Sequence, residues 1–253
     1  MAISVGLYQL LKKTQPLAVP EAYCSVKTPE GELALDIEQA QISATIAAVA
    51  ERRKLPERAV VIAYGTALQE SKLFNLDYGD RDSVGVFQQR QSQGWGKRKQ
   101  LLDPVYATNR FFAALVKVKN YRKIPLEEAA QAVQRSAGGY AYAQHEEDAR
   151  ILAAAFTGRV PKAVHCWYPP PKTGTPAPQA KTAEARRQLA RALGDPSVST
   201  RKRGWLIAAW SVAHAQKYGL KHVGFNGATW TNDMNLEGWQ SGGKATDSKV
   251  DIS

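Results

Sequence analysis

Cysteines, acidic side chains and long apolar runs are all scarce in this chain, and each shortage closes off a class of protein. Only two of 253 residues are cysteine, Cys24 and Cys166, and no His or Cys pair stands at metal-ligand spacing. No metal and no cofactor is therefore assigned. Residues 2–11 form the apolar-leaning strip AISVGLYQLL, about half of what a membrane-spanning helix takes. The strip has neither a charged leading region nor a small-residue cleavage site, so it does not read as a signal peptide. It is read as the outer end of a membrane anchor, in preference to a short helix packed on the protein. Asp and Glu number 23 against 34 Lys and Arg, giving a net charge of +11. A basic surface suits a polyanion such as anionic lipid, nucleic acid or the phosphate-rich polymers of a cell wall. No aromatic-basic repeat or nucleic-acid motif is present, so nucleic acid is not expected as a partner. With 44% hydrophobic and 23% charged residues the chain can bury a substantial core, which excludes general disorder.

The most informative stretch runs from residue 60 to residue 90. Its first part, VVIAYGTALQ, is apolar around the whole circumference of a helix, as in a helix buried on every side. A single carboxylate, Glu70, stands at its C-terminal end. There it loses solvation and faces the negative end of the helix dipole, and both effects favour the uncharged acid. A carboxylic acid so held can give its proton to a leaving group, which is what glycosidic bond cleavage needs. The glutamate acid of lysozyme works in this way. Residues 74–83 then turn to loop chemistry with Asn75, Asp77, Gly79, Asp80, Asp82 and Ser83. Asp77, Asp80 and Asp82 are candidates for a second carboxylate, and equally for Asx-turn formers that order the loop. The stretch closes on Gly85-Val86-Phe87-Gln88-Gln89.

Glu70-Ser71, followed after 15 residues by Gly85-Val86-Phe87-Gln88, resembles the lysozyme-like lytic transglycosylases of the goose-type lysozyme superfamily. That family carries a Glu-Ser pair and then a Gly-Leu-Met-Gln-type motif at this spacing. The resemblance covers roughly residues 36 to 157. It implies a mainly helical catalytic domain, Glu70 as the acid and base, and Gln88 as a saccharide contact, with Ser71 and Gln89 expected as substrate contacts beside it. It also implies a tyrosine near the start of the last helix that positions the glutamate: Tyr142 is the choice and Tyr140 the reserve. The family's third motif, Ala-Tyr-Asn-Ala-Gly, is poorly matched by Ala132-Val133-Gln134-Arg135-Ser136, where Gln134 stands in for the Asn. Trp95, between two glycines, is a candidate for stacking on a sugar ring.

The rest of the chain supplies a frame. Residues 14–35, broken by Pro16, Pro20, Pro29 and Gly31, read as irregular; Asp36 then caps an amphipathic helix to about Lys54. Asp103 and Pro104 open another helix, and Pro125 a shorter one. Residues 166–180, CWYPPPKTGTPAPQA, read as a semi-rigid linker. Beyond it come a basic helix, a second helix ending at Gly219, and a strand pair turning at Asn226-Gly227. This last part looks like a small module at the ends of some actinobacterial cell-wall hydrolases. Its Trp205, Trp210, Trp230 and Trp239 fit either a glycan-binding face or a small core.

The expected organisation is thus α+β: an N-terminal segment 1–35, a lysozyme-like domain 36–165, a linker 166–181, a small α/β domain 182–240 and a disordered tail 241–253. The even cysteine count at the domain edges points to a Cys24–Cys166 disulfide and an extracellular or cell-wall location. Closing so long a loop is worth about 5 kcal/mol in the chain-entropy model. The implied activity is cleavage of peptidoglycan at the β-1,4 bond between N-acetylmuramic acid and N-acetylglucosamine, either as a lytic transglycosylase with the sugar 6-hydroxyl as acceptor or as a muramidase with water. Peptidoglycan is the expected partner, with anionic wall polymers as partners of the basic C-terminal part. The poor third motif favours an alternative, a non-catalytic wall-binding module with a vestigial groove.

Overall fold

Asp36 opens the first helix, α1 (Ile37–Arg52), where its N–H is capped by Gln39 Oε1 at 2.8 Å. The computed structural model describes residues 21–134, 139–170, 179–233 and 238–253. Nearly every residue of α1 from Ala40 to Ala50 is buried, because α1 is wrapped by neighbours from both halves of the chain. The second helix, α2 (Glu57–Ser71), follows Pro56 and is equally enclosed, as its all-round apolar text requires. It ends because Lys72 and Leu73 turn into the left-handed region at φ 55° and 63°, with the Leu73 N–H closing on the Ala67 carbonyl. Glu70 is thereby fixed in the last helical turn.

After a short helix, α3 (Arg98–Leu101), comes α4 (Pro104–Leu115), capped by the Asp103 carboxylate on the N–H groups of Val105 and Tyr106. Then follow α5 (Leu126–Gln134), a 3-10 segment (Gly139–His145) and α6 (Glu146–Phe156). Helices α4, α5 and α6 and the 3-10 segment all pack against α2, with Phe87, Phe111 and Phe112 in the core between them.

Among the described residues two larger antiparallel sheets, besides a two-stranded hairpin within residues 83–90, complete the fold. The first orders β2 (Gly31–Leu35), β1 (Tyr23–Thr28) and β5 (Val164–Trp167), so residues 23–35 form a hairpin rather than an irregular stretch. Pro29 and Glu30 make its turn, while Cys24 and Val26 alternate inward. Cys24 lies directly opposite Cys166 on β5 and the two are joined as a disulfide, with Cα atoms 4.0 Å apart. Because Cys166 and Trp167 belong to β5, residues expected to start the linker are structural members of this sheet.

The C-terminal part contributes α7 (Thr182–Leu193), α8 (Arg201–Ala213), α9 (Ala215–Tyr218) and a sheet of order β8-β7-β6-β9. Its strands are β6 (His222–Phe225), β7 (Ala228–Thr231), β8 (Gln240–Ser241) and β9 (Asp251–Ile252). Asn226 and Gly227 turn β6 into β7 with φ of 48° and 72°, as the Asn-Gly text indicates. Helix α8 is buried from Gly204 to Ala213, between α1 and α6 on one side and β6 on the other. Its neighbours from both parts of the chain belong to one continuous hydrophobic core. Arg203 pairs with Glu51 of α1 at 2.8 Å, Arg52 donates to the Arg191 carbonyl, and Arg191 reaches Asp103. The tail is partly ordered: Val250 is buried, and β9 pairs with β6. The N-terminal strip 1–20 and the proline-rich residues 171–178 lie outside the described residues, and no helix among the described residues is long and apolar enough to cross a membrane.

Candidate active site

Residues 83–90 fold into a small hairpin in which Ser83 and Val84 of β3 (Ser83–Val84) pair with Arg90 and Gln89 of β4 (Gln89–Arg90). The Gly85-Val86-Phe87-Gln88 text is its four-residue tip. Gly85 sits at φ 80°, and a Cβ there would collide with the Leu101 carbonyl, so both conformation and space select glycine. Val86 and Phe87 plug into the core, with Phe87 stacked on Phe111 at 4.4 Å between ring centroids. Two side chains clamp the carbonyls of this plug: Ser71 Oγ donates to Val86 at 2.8 Å and Gln134 Nε2 to Phe87 at 2.7 Å. The 15-residue spacing from the Glu-Ser pair thus has a physical cause. Ser71 binds the tip that presents Gln88, while its neighbour Glu70 stands at the rim.

Glu70 is half-buried at the rim of an open cleft of about 320 Å³, together with Asp80, Ser83, Gln88, Arg90, Gln93, Trp95 and Gln134. Tyr142, buried in the 3-10 segment, donates its hydroxyl to Glu70 Oε1 at 2.6 Å across 72 residues of chain. Glu70 Oε2 has no hydrogen-bond partner among the described residues. The adjoining Gln69 holds the same segment in place. Its Oε1 lies 3.0 Å from His145 Nε2 and accepts from Gln144 Nε2 at 3.2 Å. Burial, with Lys72 adding to it, holds the His145 imidazolium below the usual histidine range, which suits a neutral ring in this contact. Gln69 carries no motif, and only its adjacency to Glu70 could have pointed to it.

The other sequence candidates divide between cleft and scaffold. Gln88 lines the cleft, but its Nε2 donates to the Tyr78 and Gly85 carbonyls at 3.2 and 3.1 Å and its Oε1 packs against Gly79, where no Cβ would fit, so it also braces the loop. Gln134 and Trp95 also line the cleft, Trp95 half-buried. Ser71 and Gln89 do not reach it. Ser71 is 5% exposed and serves as the clamp, and Gln89 is 2% exposed with Nε2 on the Ala107 carbonyl of α4. The alternation of a strand explains Gln89, which must point opposite to its neighbours.

Of the three loop aspartates, Asp82 accepts from the Ser92 N–H at 2.7 Å, from Arg90 at 2.8 Å and from the Ser92 hydroxyl at 2.8 Å. These bonds, the Ser92 N–H foremost, hold its carboxyl far below the ordinary range, and they make it a loop brace. Asp77 lines a separate hollow on the outer side of the loop. Asp80 alone shares the cleft with Glu70, and its side chain is 87% exposed with only Arg81 at 3.9 Å for company. The side chain of Tyr140 lies outside what is described. Among the described residues no cluster of three or more His, Cys, Asp or Glu could hold a metal. Trp205, Trp210 and Trp230 are 5%, 2% and 0% exposed, so they build the core of the C-terminal part; Trp239 is half-buried against Trp205.

No protein-family model matches this chain, and no curated protein matches it in sequence.

Proposed function

We propose that the protein cleaves the glycan strands of peptidoglycan outside the cell as a lysozyme-like lytic transglycosylase, with Glu70 as its single acid and base. The observation that carries the reading is the 2.6 Å bond from Tyr142 to Glu70 Oε1 at the rim of a cleft walled by Gln88, Gln134 and Trp95. With Oε1 engaged, a proton on Glu70 resides on Oε2, the oxygen left to serve a ligand. Oε2 gives that proton to the glycosidic oxygen as the C1–O4 bond breaks, and the departing sugar leaves as an alcohol. The muramyl 6-hydroxyl then attacks C1 and returns its proton to Glu70, forming a 1,6-anhydro end without consuming water. Two observations favour this route over hydrolysis. Asp82 is fully occupied as a brace, and Asp80 is too exposed and unsupported to hold a water in line. An extracellular setting keeps the Cys24–Cys166 bond oxidised.

The test compares wild-type protein with Glu70→Gln on purified peptidoglycan, measuring soluble fragments. Release by the wild type and none by the variant supports the enzyme. No release by the wild type, with the protein still sedimenting with the wall, replaces it with a binding module.

A further inference from the structure

Beyond Trp95 a second hollow, of about 350 Å³, opens between residues 93–95, α4 and α5. Gln93 and Trp95 line both hollows, so the indole stands as a divider between this one and the Glu70 cleft. Its floor is apolar, built from Ala113, Ala114 and Val133, and its charged members are Arg110 and Lys117. Arg110 is fixed in place: its Nε donates to the Trp95 carbonyl at 3.0 Å and one terminal nitrogen to the Gly94 carbonyl at 3.2 Å. The other terminal nitrogen has no partner among the described residues, and neither does the Lys117 ammonium. No Asp or Glu is among the described residues that line the hollow. Two uncompensated cations over an apolar floor match a ligand that is part aliphatic and carries carboxylates. Arg110 stands on α4 and Lys117 on the turn that follows its last residue, Leu115, so the two cations border the hollow at different points along its length.

We propose that this hollow is a subsite for the carboxylate-bearing peptide substituent of the glycan, with Arg110 and Lys117 reading its charge. The inference rests on the peptidoglycan reading of the Glu70 cleft. It makes the protein selective for peptide-substituted strands over bare or amidated ones.

The test is calorimetric titration of the full chain with N-acetylmuramyl-L-alanyl-D-glutamate, which carries two carboxylates, and with its bis-carboxamide analogue. The wild type should bind the acid about tenfold more tightly than the amide. The double variant Arg110→Gln/Lys117→Gln should lose that preference; because Arg110 also holds the Trp95 and Gly94 carbonyls, Lys117→Gln alone, an exposed side chain, should weaken the preference with thermal unfolding unchanged. Equal affinity for acid and amide, no binding of the acid, or a preference kept by the double variant overturns the proposal. Glu70→Gln should bind as the wild type does. Loss of the binding preference alone therefore removes the subsite and leaves the enzyme, while absence of cleavage with binding retained removes the enzyme and leaves the subsite.

Discussion

Trp230 and Trp95 show how differently two parts of this chain use one side chain. Trp230 is fully enclosed in the C-terminal layer, donating Nε1 to the Cys166 carbonyl at 3.2 Å. Trp95 stands half-open between two hollows. The difference extends to their surroundings. Around Trp230 the structure is held mainly by burial, with Trp205, Trp210, Phe225 and Val212 nearly inaccessible. A buried indole removes about 200 Å² from water, worth about 5 kcal/mol. Around Glu70 the walls are held by single side-chain bonds to main-chain carbonyls: Ser71 to Val86, Gln134 to Phe87, Gln88 to Gly85 and Asn75 to Leu102. Each is worth only about 1 kcal/mol, but each fixes a direction. Burial supplies stability in one region, and directional bonds supply geometry in the other.

That contrast can be broken by substitutions that move stability and turnover separately. The largest effect should come from Glu70→Gln, which lowers glycan cleavage about 10³-fold with no change in thermal unfolding. Trp230→Ala should do the reverse, costing about 3–5 kcal/mol in urea unfolding while the surviving folded fraction keeps its turnover. Next is a pH effect seated in the C-terminal layer. Burial, opposed by the bond to the Trp210 carbonyl and assisted by Lys217, pushes His214 down to about 3. The folded state therefore holds the neutral ring, while the unfolded chain takes up a proton below about 6.5. The stabilisation is complete above about 6.5 and fades as pH falls toward 3, a loss of about 3 kcal/mol near pH 4.5. His214→Asn should flatten the stability–pH curve in that window, and an unchanged slope would remove His214 from the account. Smallest is Tyr142→Phe, expected to lower kcat about tenfold at nearly unchanged KM, because it removes a bond that orients the acid.

Much of this arrangement was legible in the residues, and what was missed has definite causes. Asp36, Asp103 with Pro104, and Asn226-Gly227 announced their elements because caps and tight turns depend on local chemistry. The meeting of Glu70 and Tyr142 depends on a fold shared across 72 residues, and it came from the motif resemblance rather than from any local signal. Ser71 and Gln89 were misjudged as substrate contacts because adjacency to a site says nothing of which way a side chain points. Both face inward: Ser71 holds the hairpin tip, and Gln89 ties the hairpin to α4. The hairpin of residues 23–35 was hidden by Pro29 and Gly31, which punctuate its turn, although Cys24 and Val26 keep the period of two. The C-terminal tail carried only Val250, Asp251 and Ile252 as a hint of order, and their partner strand β6 lies far back in the chain. Helix α8, apolar all round, signalled a helix enclosed on every side, which a helix at the edge of a free-standing module would not be.

The chemistry assigned to Glu70 is tested most directly by the chain ends it produces. Wild-type protein and Glu70→Gln are incubated with purified peptidoglycan, and the released fragments are identified by mass spectrometry. Attack by the muramyl 6-hydroxyl leaves 1,6-anhydromuramyl ends, expected from the wild type and absent from the variant. Reducing ends from the wild type, or release that persists in Glu70→Gln, would contradict it.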